Sequence, residues 1–137
     1  MAAAYPISEL DHISPGISKI LKSKKIRTTA RFLERAKDAS GRKALAVATG
    51  VSERELLRCA NMADRMRIKG VGRENAELLA AAGVDTVREL KYRNPANLAA
   101  AMREANRKRK LVRQLPTEKV VGVWIENAKK LKIEISY

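Results

Sequence analysis

The chain has 137 residues, 45% of them hydrophobic but only 4% aromatic, and its 29 Lys and Arg against 15 Asp and Glu give a formal charge of +14. That length suits one compact domain, or two very small ones sharing a core, and that charge favours an acidic partner, nucleic acid first. A single cysteine, Cys59, and a single histidine, His12, exclude an internal disulfide, a His/Cys metal centre and His-based activation of a nucleophile.

In chain order, Met1 to Pro6 lacks a basic segment followed by an apolar run, so no signal peptide is read there. Pro6 suits a first helical turn, and a short helix is predicted through Leu10. A turn follows at His12-Ile13-Ser14-Pro15-Gly16, then a helix to about Ser23 and a basic cluster that includes Lys24, Lys25 and Arg27. Thr28-Thr29 caps a helix to about Lys37, Asp38 to Gly41 reads as a linker, and Arg42 to Thr49 as the next helix, stopped by Gly50. Ser52 with Glu55 forms a capping box for a long amphipathic helix to Met66, with Leu56, Cys59, Ala60 and Ala63 on one face.

The middle of the chain, Ile68-Lys69-Gly70-Val71-Gly72-Arg73-Glu74-Asn75-Ala76, joins that helix to another through a Gly-Val-Gly turn. Glycine is needed where the backbone takes positive φ or lies close to another group. A turn that opens a helix this way presents unpaired N–H groups and the positive end of the helix dipole, which together attract an anion. Beyond it the helix ends at Gly83, Thr86 with Glu89 caps a short helix, and Asn94-Pro95 starts another carrying Leu98 and Met102. A basic run, Arg107-Lys108-Arg109-Lys110, closes that helix, and Pro116-Thr117-Glu118 opens the last one, with Trp124 on its apolar side. The tail from Lys132 to Tyr137 reads as a short extended segment. No apolar run is long enough to cross a membrane, and the expected location is cytoplasmic.

A shift of 58 residues brings Leu10 onto Ile68, Ile13 onto Val71, Leu21 onto Leu79, Thr28 onto Thr86 and Phe32 onto Leu90. A shift of 65 brings Ser52-Glu53 onto Thr117-Glu118 and Cys59 onto Trp124. Two copies of one unit are read from this, residues 1–65 and 66–137. The first copy has a degenerate hairpin at 12–16, because His12 and Ser14 stand where Gly70 and Gly72 stand in the second.

The pattern Ile68, Gly70-Val71-Gly72, Ala76, Leu79-Ala80 resembles the helix-hairpin-helix motif. Across nearly its whole length the chain also resembles a bacterial family of small stand-alone tandem helix-hairpin-helix proteins, catalogued as a domain of unknown function. That likeness rests on Met66 to Gly72, Ala82 to Leu90 and Arg93 to Leu98. It implies an all-α, SAM-like helical domain, with two pseudo-repeats packed on a shared core. The wider motif class implies that the hairpin amides hold a DNA phosphate.

The functional expectation is non-enzymatic, sequence-independent binding of double-stranded DNA. Lys69, Gly70, Val71, Gly72 and Arg73 form the expected phosphate site. Secondary basic contacts are expected from Lys24, Lys25, Arg27, Arg65, Arg67, Arg107, Lys108, Arg109 and Lys110. No cofactor or metal is expected, and no pair of carboxylates stands out for catalysis. The alternative is a protein-interaction adaptor built from helical repeats, with a partner or a second copy packed on the C-terminal helix.

Overall fold

Side-chain caps set most of the helix starts in the computed structural model, which describes residues 2–137. A 3₁₀ helix, Ile7–His12, follows Pro6 and runs two residues further than the sequence pattern predicts. The α-helices are α1 (Ile17–Ser23), α2 (Thr29–Ala36), α3 (Ala39–Thr49) and α4 (Glu53–Met66), then α5 (Gly72–Ala81), α6 (Val87–Lys91), α7 (Pro95–Arg109) and α8 (Glu118–Lys129). Thr28, Asp38, Ser52, Thr86, Asn94 and Thr117 each accept the backbone N–H three residues on, opening α2, α3, α4, α6, α7 and α8. Such a cap satisfies one of the donors a helix start leaves unpaired. Among the described residues there is no strand, only an isolated antiparallel bridge between Pro6 and Thr28.

A second boundary also differs from the sequence reading. Asp38 to Gly41 is no linker, because the Asp38 carboxylate accepts the Gly41 N–H at 2.7 Å and starts α3 at Ala39. Gly41 is there for closeness: a Cβ on it would stand 2.1 Å from the carbonyl oxygen of Arg35.

In the first half α2 and α3 pack on α4; in the second, α6 and α7 pack on α8. Helix α5 joins the halves by packing on both α4 and α7. One hydrophobic cluster runs through the molecule, from Ile7 and Phe32 through Leu56, Met62 and Ile68 to Trp124 and Ile135. Burial of that surface supplies the main drive to fold.

Polar groups at the end of α4 lock this arrangement. Asp64 is buried; its carboxylate accepts the Val87 N–H at 2.8 Å and pairs with Arg67 at 2.7 Å. Arg67 also donates to the Lys132 carbonyl at 2.6 Å. Arg65 donates to the Ala76 carbonyl at 2.7 Å and to the Asp85 carbonyl at 3.0 Å. Buried charges persist only when paired and hydrogen-bonded, and here they tie α4 to α5, α6 and the tail.

Candidate nucleic-acid interface

The Gly turn hangs from the core by two apolar pegs. Ile68 and Val71 are buried, while Lys69 and Gly70 between them are exposed. Between and after these pegs, Gly70 and Gly72 both take positive φ, 88° and 69°. A β-branched residue would be strained there. Space is not the constraint, because a Cβ on Gly72 would meet nothing within 4 Å. A Cβ on Gly70 would stand 3.6 Å from the indole nitrogen of Trp124, which packs beneath the turn.

Val71 N–H closes the turn on the Ile68 carbonyl at 3.2 Å. Helix α5 then starts with Val71 at its N-cap, which offers no side-chain acceptor. Among the described residues, the N–H groups of Gly70, Gly72, Arg73 and Glu74 have no protein acceptor. The start of α5 therefore has no side-chain cap, and Glu74 is the acid in its first turn.

The first turn is built differently. Gly16, at φ 83°, precedes α1, and the N–H of Ile17 is taken by the Ser14 carbonyl at 3.1 Å. The Asp11 carboxylate accepts both the N–H of Ser18, at 2.8 Å, and its hydroxyl. The place an anion would occupy at α1 is filled by the chain's own carboxylate. Asp11 lies 58 residues before Lys69, so the shift that aligns the two turns in sequence sets opposite charges against each other.

The structure divides the predicted contact residues. Lys69 is exposed beside the open amides. Arg73 is turned aside: it pairs with Glu9 at 3.0 Å and its Nε is buried without a partner. Arg65 and Arg67, expected as secondary basic contacts, are buried, and the carbonyls and carboxylate named above hold their guanidinium groups. Burial brings Arg65 down to about 10, the neighbouring Asp85 and Asp64 opposing it, so it stays charged at neutral pH. Both are structural joints facing inward.

Lys24, Lys25 and Arg27 are exposed between α1 and α2. At the end of α7, Arg107 pairs with Glu104 at 2.6 Å and Lys108 lies 3.9 Å from the same carboxylate, while Arg109 and Lys110 are exposed. Arg109 lines a polar cavity with Ile13, Arg58, Glu77 and Asp85, not the Gly turn. His12, exposed, pairs with Glu77 at 3.2 Å and so covers one of the two carboxylates that follow the Gly turn.

A neighbour of the turn escaped the sequence reading. The end of α8 brings Asn127, Lys130 and Leu131 against Arg67 and Lys69, and the five line a cavity of about 150 Å³. Nothing in the local sequence marks Lys130, because its position depends on how α8 docks.

Among the described residues, no three His, Cys, Asp or Glu side chains are grouped to hold a metal ion. Cys59 is buried and its thiol is pushed up to about 12, mainly by desolvation and then by Glu55, which leaves it protonated. No helix is long and apolar enough to cross a membrane among the described residues.

Residues 11–131 match the family model described as Domain of unknown function (DUF4332), and the chain belongs to that family. No curated protein and no solved structure matches it.

Proposed function

We propose that this protein is a tandem helix-hairpin-helix protein that binds double-stranded DNA without regard to sequence, through its second hairpin. The carrying observation is the contrast between the two turns. At α1 the anion position is filled by Asp11, whereas at α5 the donors of Gly70, Gly72, Arg73 and Glu74 have no acceptor and stand next to Lys69. A phosphate oxygen on those amides completes the α5 start in the way Asp11 completes α1. Such a contact touches only the strand backbone and reads no bases. The net charge of +14 supplies long-range attraction.

Duplexes of unrelated sequence, titrated at several salt concentrations, test this. Arg65 and Arg67 face inward and Arg73 is paired, so the contact count is small; we expect log K to fall with log salt at a slope of roughly −2 to −4. Lys69→Ala makes the slope shallower by about 0.9, equally for every duplex. Gly72→Val weakens binding at all salt concentrations, because it strains the turn that presents the amides. Parent-like binding by both variants overturns the reading.

The adaptor reading has one observation in its favour. Val120 and Val123 on α8 are 40% and 51% exposed. Parent-like duplex binding by the hairpin variants, together with dimerisation abolished by Val123→Lys, would put that reading first.

A further inference from the structure

The cavity between the Gly turn and the end of α8 is lined by Arg67, Lys69, Asn127, Lys130 and Leu131; Asp64 neutralises Arg67 from within, so its open charges are the two lysines. At about 150 Å³ it lies below the roughly 300–1,000 Å³ of ordinary small-molecule pockets. That space suits a single tetrahedral oxyanion and is too small for a nucleoside.

Those two charges are not balanced from within. Arg67 is held in place by Asp64 and by the Lys132 carbonyl, which fixes one wall. On α8, Glu126 takes Lys129 at 2.8 Å, leaving Lys130 without that carboxylate. Among the described residues neither Lys69 nor Lys130 forms an ion pair. The C-terminal end of α8 contributes about half a negative charge, less than two lysines carry. Like charges gathered around one recess repel each other, and an anion entering it relieves that repulsion. The Asn127 side chain adds a neutral amide that can donate to the same anion.

We infer that this cavity is a second phosphate seat, taking a phosphate of the DNA strand next to the one on the hairpin amides. Lys69 borders both places, so the two seats are continuous and the strand passes from the start of α5 toward the end of α8. The inference rests on the duplex-binding reading and gives that reading a direction across the surface.

The test compares Lys130→Ala with Lys119→Ala. Both remove one exposed lysine, but Lys130 is the C-cap of α8 whereas Lys119 lies in its first turn, among Asn94, Pro95 and Glu118. Eleven residues of helix separate them by roughly 16 Å. With a short duplex, Lys130→Ala makes the salt slope shallower by about 0.9, and Lys119→Ala leaves it at the parent value. Combining Lys130→Ala with Lys69→Ala removes about twice that. If Lys130→Ala and Lys119→Ala behave alike while the parent binds and Lys69→Ala weakens it, the second seat is wrong and the hairpin reading stands. If the parent does not bind duplex at any salt concentration, both fall together.

Discussion

At the scale of single residues, the sequence shows charge and hides direction. Arg67 continues the buried face of α4, three and seven residues after Asp64 and Ala60, and helical spacing places it inward with Ala63. Taken as one more cation beside a Gly turn, it reads as a DNA contact. The same spacing correctly placed Cys59 in the core. That burial has a consequence at high pH. The folded-state thiol titrates near 12 against an ordinary 9.0, so the folded form holds its proton where the unfolded chain has lost it. Its contribution to stability is complete below about pH 9 and declines as pH rises toward 12. Urea midpoints measured at neutral pH and near pH 10 should therefore fall further for the parent than for Cys59→Ala. Equal declines would show that the thiol is not desolvated. A thiol reagent should also label the native protein only as fast as it opens.

At the scale of elements, caps were the most legible feature. Thr28, Ser52, Thr86, Asn94-Pro95 and Thr117 each stand where a helix starts. The start of α3 was not legible, because Asp-Ala-Ser-Gly is also the composition of a loop. What decides it is the approach of α2, whose Arg35 carbonyl leaves no room for a Cβ on Gly41. Gly41→Ala should therefore cost at least as much as core overpacking, about 1–3 kcal/mol. Asp11→Ala supplies the matching measurement at the first turn. It removes the acceptor of the Ser18 N–H, and loss of a cap of this kind costs about 0.5–2 kcal/mol. Thermal or urea melts read both, and an unchanged midpoint for Asp11→Ala would remove the argument that this carboxylate fills the anion position of α1.

At the scale of the molecule, the division expected from the sequence falls inside one helix. A boundary at 65/66 falls within α4, so neither half carries a complete set of partners: α4 packs with α2 and α3 and also with α5. The tail adds a second tie. Ser136 N–H donates to the Lys37 carbonyl at 2.8 Å, and its own carbonyl accepts from Arg42 at 2.7 Å. Arg42 also reaches the Ala36 carbonyl at 2.8 Å and lies 6.0 Å over the Tyr137 ring. The last residues of the chain are thus fastened to α2 and α3. From this, unfolding should be a single transition. Trp124, the one tryptophan, lies in the second half under the Gly turn, while far-UV circular dichroism reports helices of both. The two signals should trace the same urea curve. Arg42→Ala removes hydrogen bonds from a charged donor, worth about 1.5–3 kcal/mol each at full strength. Although Arg42 lies in the first half, its loss should move the Trp124 midpoint as far as the dichroism midpoint. A Trp124 transition left in place while the dichroism curve shifts would show two independent domains, and the shared-core account would fail.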